Sequence, residues 1–161
     1  MNNLKFLLLL LGSVFLFGAC QNSTEKEKNT HKTENSTAME KEIPFSIAKN
    51  YFVKKDIETV KNPKITTQKE FDQIFGMATT MSEEGKPTPI DFSKQFVIAV
   101  VLPETDIATE LHAVDLIQNE EEKLIFTYQK EEDKKISHTI KPLLMVLVDN
   151  KYQGEVILNQ D

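Results

Sequence analysis

Two stretches of the chain are apolar at every position and have the length of a strand. Phe96–Leu102 reads FVIAVVL and Leu143–Val148 reads LLMVLV. Short runs without polar alternation are typical of strands that are covered on both faces. Pro103 ends the first run, because proline cannot donate a hydrogen bond to a sheet. We therefore expect two central strands with structure packed on each side.

Between and after these runs the apolar positions alternate. Leu111–Ile117 is apolar at positions 111, 113, 114 and 116, a change of phase that is typical of a β-bulge. Leu124–Tyr128 and Ile136–Ile140 each alternate, and we interpret the charged segment Lys130–Lys135 between them as a turn. Val156–Leu158 adds a last strand. Short turns favour neighbouring antiparallel strands, so the pattern predicts a meander.

A short helix is predicted over Gln68–Phe75. Thr67 and Glu70 have the spacing of a capping box, and apolar residues follow at helical spacing. Gly76 can close the helix in the left-handed conformation. The run Tyr51–Val53 before it is β-prone. The predicted fold class is α+β and mostly antiparallel β, with six to eight strands as a sandwich or partly open barrel and one short helix.

The N-terminal residues have the features of a secretory signal. Lys5 is followed by the almost unbroken hydrocarbon run Leu7–Phe17, and Gly18 and Ala19 then precede Cys20, the only cysteine. The run is shorter than the roughly 20 residues that cross a bilayer. The pattern resembles a bacterial lipoprotein signal, in which the cysteine is diacylated and becomes the new N-terminus.

This pattern sets the expected organisation and location of the chain. We expect a lipoprotein signal peptide at 1–19, followed at 20–42 by the lipidated Cys20 and a disordered tether. Gln21–Glu42 has no aromatic or β-branched aliphatic residue and cannot bury enough apolar surface to fold. A single globular domain at 43–161 is expected to be a monomer. Lipid on Cys20 would anchor it to the bacterial cell envelope, at the outer membrane or cell surface.

Composition excludes several function classes. The net charge is -6, and all 19 basic residues are lysines. The chain therefore lacks the arginine fork that grips phosphate, and its negative balance repels polyanions, so no nucleic-acid partner is expected. One cysteine allows neither an intramolecular disulfide nor a cysteine-based metal cluster.

The residues that could carry catalysis are few. No Gly-x-Ser-x-Gly or His-Glu-x-x-His motif is present. His138 shares a strand face with Ile136 and Ile140, which favours a partly buried structural histidine over a catalytic one, and His112 is expected to face solvent. The acidic clusters are flanked by lysines and are expected to be solvated turns. We expect no enzyme activity, no metal site and no cofactor.

Two predicted loops are candidate binding surfaces. Met77–Pro89 is long for a compact domain, and loops above roughly 12 residues are often functional or disordered. Its Met77 and Met81 suit an adaptable contact surface, but they suit the filling of gaps beneath the loop equally well. The second loop, Pro103–Thr109, carries Ile107 among polar neighbours. Met77, Met81 and Ile107 are therefore the candidate partner-binding residues.

A further pattern consists of Phe71–Phe75, Pro89–Lys94 leading into Phe96–Val100, a Leu-x-Phe-x-Tyr strand at 124–128, and Thr139-x-x-Pro142. In these residues the chain resembles the C-terminal domain of the PrcB family. The likeness covers Ile65–Val148, and Ile90–Val100 is its most specific part. A Thr-Gly-Gly-Tyr-like element of the family is replaced here by Thr105–Thr109. The family comprises accessory lipoproteins of a bacterial surface protease complex.

The resemblance implies an interaction module, an accessory subunit or modulator of a secreted protease. Two alternatives stay open. One is a structural or envelope-maintenance lipoprotein with no protease partner. The other is a small hydrolase, which we place last because a nucleophile and base are not identifiable.

Overall fold

The computed structural model describes residues 40–78 and 85–161. The predicted signal peptide, Cys20, Met81 and most of the predicted tether lie outside these residues. Within them the chain forms ten strands and one helix. In chain order these are β1 (Lys41–Glu42), β2 (Phe45–Ile47), β3 (Tyr51–Val53), β4 (Lys64–Ile65), α1 (Gln68–Ile74), β5 (Phe75–Met77), β6 (Gln95–Val101), β7 (Thr105–Gln118), β8 (Leu124–Ile140), β9 (Leu143–Asp149) and β10 (Val156–Gln160).

The strands form two four-stranded sheets and a two-stranded ribbon. The outer sheet has the order β1-β7-β8-β10, the central sheet β2-β9-β6-β4, and the covering ribbon consists of β3 and β5. All pairs are antiparallel except β10 with β8. The fold is thus α+β, mostly antiparallel and sandwich-like, and it is not closed into a barrel. The ten described strands exceed the predicted six to eight because several have only two or three residues, too few to leave a periodic pattern.

The two apolar runs form β6 and β9, the inner strands of the central sheet. In β6, Phe96, Ile98 and Val100 belong to the core between the two sheets, whereas Val97 and Ala99 belong to the core beneath α1 and the covering ribbon. β9 alternates in the same way and pairs with β6 along its full length. The prediction of two central strands covered on both faces is therefore confirmed.

Helix α1 begins as predicted and ends differently. The Thr67 hydroxyl accepts a hydrogen bond from the Glu70 N–H at 3.2 Å, which confirms the N-cap. The assignment of Gly76 as the helix-closing residue is wrong, because Phe75 is extended and the chain passes directly into β5. Gly76 lies opposite Phe52. A Cβ atom there would lie 2.4 Å from Phe52 Cζ, so glycine makes room for the ring.

A corner links the central sheet to the outer sheet. Val101 pairs with Leu143 at the end of β6/β9, and Thr105 pairs with Ile140 at the start of β7/β8. Between them the Leu102 N–H donates to the Pro142 carbonyl at 3.0 Å. The two strand pairs are therefore one long antiparallel structure that passes from one sheet to the other.

Two predictions of irregular structure are wrong, namely the turn at Lys130–Lys135 and the loop at Pro103–Thr109. β8 is continuous through Lys130–Lys135, and most of the second segment is the start of β7, which pairs with it. Residues 129–135 of β8 are all exposed, so a strand can carry polar side chains there. The resulting polar composition is the same as that of a solvent-exposed turn. The predicted bulge is confirmed, because the β7/β8 register shifts between Ala113 and Asp115.

Two described residues before Ile43 belong to a strand. Lys41 and Glu42, which the sequence assigned to the tether, form β1 opposite Gln118 and Ile117. Ile43 follows and is 1% exposed in the core between the sheets. The assignment of these two residues to a disordered tether is therefore wrong, because backbone pairing with β7 orders them despite their polar side chains.

The last strand also departs from the predicted meander. β10 does not pair with β9, the strand that precedes it in the chain. It pairs with β8, in parallel. Gly154, just before β10, has a φ of 140°, and a Cβ atom there would lie 2.0 Å from the Glu122 carbonyl oxygen. This close approach requires glycine.

Candidate functional site

An apolar cleft lies beside the exposed side chain of Met77. Met77 ends β5 and is 63% exposed, the highest value among the large hydrophobic residues described. The cleft has a volume of about 290 Å³. We call it the Met77 cleft, and its lining residues are Tyr51, Gln68, Phe71, Met77, Pro87, Pro89 and Ile90. Apart from the Gln68 amide and the Tyr51 hydroxyl, the side chains of the lining are apolar.

Tyr51 fixes one wall of the cleft. Its ring packs edge-on against Phe71, with centroids 5.1 Å apart and planes at 88°. Its hydroxyl donates to the Thr88 carbonyl at 2.6 Å. Burial, and secondly the nearby Asp72 carboxylate, raise the pKa of Tyr51. The hydroxyl therefore stays protonated at neutral pH and keeps its donor role.

Both sides of the long segment predicted as a loop are held by the turn between β2 and β3. The Lys49 N–H donates to Thr88 Oγ1 at 2.9 Å, and the Thr88 N–H donates to the Lys49 carbonyl at 3.1 Å. The Asn50 carbonyl accepts from the Ala78 N–H at 2.9 Å, and its side chain donates to the Lys86 carbonyl at 2.8 Å. Asn50 has a φ of 66°, a left-handed conformation that asparagine tolerates. The cleft is therefore built on a fixed frame.

Another part of the lining comes from α1. The Thr67 cap starts the helix so that Gln68 and Phe71 lie one turn apart, on the same side. Phe71 is buried and also packs against Phe75 and Phe92, with centroids 5.0 and 5.8 Å away. This aromatic cluster anchors the floor of the cleft in the core beneath the helix.

This arrangement can bind an apolar side chain. A concave apolar surface with fixed walls suits an anchoring residue of a partner, and a flexible exposed methionine can adapt its contact to that residue. The lining contains no nucleophile next to a base. Among the described residues, no group of three or more His, Cys, Asp or Glu side chains could hold a metal ion.

The structure separates the predicted binding residues. Met77 lines the cleft, whereas Ile107 lies within β7 opposite Lys135, is partly buried and does not line the cleft. Met81 and Cys20 lie outside the described residues. Within the described part of the chain, no helix has the length and apolar content needed to cross a membrane.

The two described histidines are both exposed. His112 faces solvent as predicted, with its Nε2 atom 3.8 Å from Glu110 and 3.7 Å from Glu131. The prediction that His138 is partly buried is wrong. Its strand neighbours Ile136 and Ile140 are only partly buried, so a shared face with them does not bury the ring.

The motif at the centre of the family resemblance has a structural role. The Asp91 carboxylate accepts from the Ser93 hydroxyl at 2.5 Å and N–H at 3.0 Å, and Lys94 Nζ lies 2.9 Å away. These contacts, the Ser93 hydroxyl first, lower the pKa of Asp91 to about 2. The Asp91 carbonyl also accepts the N–H groups of Lys94 and Gln95. The motif is thus a turn that starts β6.

Sequence reasoning missed most of the cleft. Tyr51 was recognised only as part of a strand, and Gln68 only as part of a helix. Ile90 was noticed only as part of the family pattern. The length of the segment Met77–Pro89 was the one signal that pointed to this surface.

No protein-family model, curated protein or solved structure matches the chain. The resemblance to the PrcB family therefore stays a prediction that rests on the residues quoted for it. The geometry of the Met77 cleft and the pattern of the N-terminal residues are the basis for inferring the function.

Proposed function

We propose that this protein is a lipid-anchored bacterial envelope protein whose β-rich domain binds another protein through the Met77 cleft. It acts as an accessory subunit or modulator of a secreted protease and is not itself an enzyme. The observation that carries the proposal is the cleft, which presents a 63% exposed methionine beside apolar walls. Interface energy is concentrated in such apolar pockets, where one partner residue is fully desolvated.

The rigidity of the cleft supports binding rather than simple packing. Its walls are fixed by the Tyr51 hydroxyl bond to the Thr88 carbonyl and by the two hydrogen bonds between Lys49 and Thr88. A fixed surface loses little conformational entropy when a partner docks, so more of the contact energy appears as affinity.

The lipid anchor is supported by the sequence around Cys20. A short apolar run and two small residues precede the only cysteine of the chain. A monomeric domain on such an anchor would meet partners at the envelope surface, at the outer membrane or cell surface. The acidic, arginine-free composition supports a protein partner over nucleic acid.

The protease partner rests on the family resemblance over Ile65–Val148. Its most specific part, Ile90–Val100, forms the Asp91 turn and most of β6, which are structural features. The identity of the partner has to come from capture.

Capture from native membranes tests the proposal. The full chain, crosslinked in cells and purified, is expected to recover a secreted peptidase identified by mass spectrometry. Met77→Asp should reduce its recovery roughly ten-fold or more, because a carboxylate would be desolvated at the docking surface. The matched control is Val114→Asp, at a 45% exposed position in β7, which should recover as much as the wild type.

Two results would count against the proposal. Equal recovery by both variants would exclude the Met77 cleft as the binding surface. Capture of a Met77-dependent partner that is not a peptidase would support the Met77 cleft as the docking surface but exclude a protease as the partner. That result would favour the envelope-maintenance alternative.

A further inference from the structure

A second, polar cleft opens at the corner where β6/β9 passes into β7/β8. Its volume is about 540 Å³, within the range of small-molecule sites. We call it the corner cleft, and its lining residues are Val53, Lys55, Glu104, His138, Thr139 and Lys141. It shares no lining residue with the Met77 cleft.

An irregularity in β8 forms one wall. Thr105 pairs with Ile140 but Ile107 pairs with Lys135, so β8 has extra residues over this stretch of β7. His138 and Thr139 lie among these extra residues and line the cleft. Bulges often re-aim side chains next to binding sites.

Some polar groups of the corner cleft are held by hydrogen bonds within the protein, and others are available to bind a ligand. Lys141 Nζ donates to the Ile57 carbonyl at 2.5 Å, which leaves two of its three N–H donors. The Thr139 hydroxyl donates to the Glu104 carboxylate. In the described part of the chain, the side chains of Lys55 and His138 make no hydrogen bond or ion pair. Donors therefore outnumber acceptors around the cleft.

The charge of the cleft opposes that of the whole protein. Two lysines face one glutamate here, whereas the chain has a net charge of -6. This local excess of positive charge attracts an anion. Glu104 disfavours a doubly charged phosphate more than a singly charged group, and no arginine is present to grip phosphate with a fork. The chemistry therefore favours a carboxylate.

We propose that the corner cleft binds a carboxylate group, held by Lys55 and Lys141 with the His138 ring beside it. A free small carboxylate and an acidic side chain of a polypeptide both present this group. The site is independent of the Met77 cleft and of the partner proposed to bind there.

Histidine ring signals provide the test. In the full chain, butyrate should shift the His138 ring resonances in a saturable way by NMR at neutral pH. His112 is the internal reference and should not follow, because it lies outside the cleft. Sodium chloride at equal ionic strength controls for screening. A blocked glutamyl peptide in place of butyrate distinguishes an acidic side chain from a free small carboxylate.

Charge variants give effects of opposite sign. Lys55→Gln should weaken butyrate binding roughly two- to five-fold, the size of an exposed charge contact. Glu104→Gln should strengthen it by a similar factor, because the amide oxygen still accepts from Thr139 and the negative charge is gone. Lys134→Gln, exposed on β8 outside the cleft, should have no effect. Equal shifts at His138 and His112, or equal affinities in all three variants, would overturn the proposal.

Discussion

Replacing Val100 by aspartate is expected to destabilise the domain by about 4 kcal/mol or more. Val100 is 1% exposed and lies in the core between the two sheets. A carboxylate at this position would be buried without a partner, and its desolvation costs several kcal/mol. Domains of this size have total stabilities of about 5–15 kcal/mol, so the variant should be largely unfolded on mild warming.

Thermal and urea denaturation followed by circular dichroism measure this effect. The matched control is Val114→Asp, which makes the same chemical change at a 45% exposed position in β7. Its free energy of unfolding should stay within about 1 kcal/mol of the wild type, as is usual for surface substitutions. Equal midpoints for the two variants would contradict the burial of β6 between the sheets.

Replacing Cys20 by serine is expected to abolish lipid attachment completely. Cys20 is the only thiol of the chain, and serine cannot form the thioether that a lipoprotein signal requires. The variant should accumulate as an uncleaved precursor. Several acyl chains hold a lipoprotein at the membrane, since each buried methylene contributes about 0.8 kcal/mol.

Incorporation of labelled fatty acid and sequencing of the mature N-terminus test the anchor. Fractionation alone does not decide, because the precursor keeps its apolar run. The control variant Ser36→Ala changes a residue within the predicted tether. It should incorporate the labelled fatty acid and be cleaved to the mature form as the wild type is. Label in the Cys20→Ser chain, or a wild-type N-terminus at another residue, would show that the anchor is assigned wrongly.

The sequence predicted features that depend on local or strongly periodic signals. The apolar runs identified β6 and β9, since short runs without polar alternation are typical of strands covered on both faces. The Thr67 cap and the bulge near Val114 were also readable, because each leaves a signature within a few residues.

Features that depend on distant partners were not predictable. The pairing of β10 with β8 in parallel joins segments far apart in the chain, and no local pattern encodes it. The polar middle of β8 was mistaken for a turn because its exposed side chains have the composition of one. Gly76 was mistaken for a helix end because the ring of Phe52, the actual reason for glycine, comes from another strand.

The same distinction applies to the candidate site. The length of the segment Met77–Pro89 drew attention to the surface that contains the Met77 cleft. The walls come from β3, α1 and residues 87–90, which only tertiary packing brings together. Ile107 was misplaced because its segment was assigned to a loop, whereas it is paired within β7.

Site-specific photocrosslinking tests the central claim, that the domain binds a protein through the Met77 cleft. A photoreactive residue is placed at position 77 of the full chain and, in a matched chain, at position 114, which is also exposed. Both are irradiated in native membranes. The account predicts one discrete crosslinked protein adduct from position 77 and none from position 114. No adduct from position 77, or the same adducts from both positions, would contradict it.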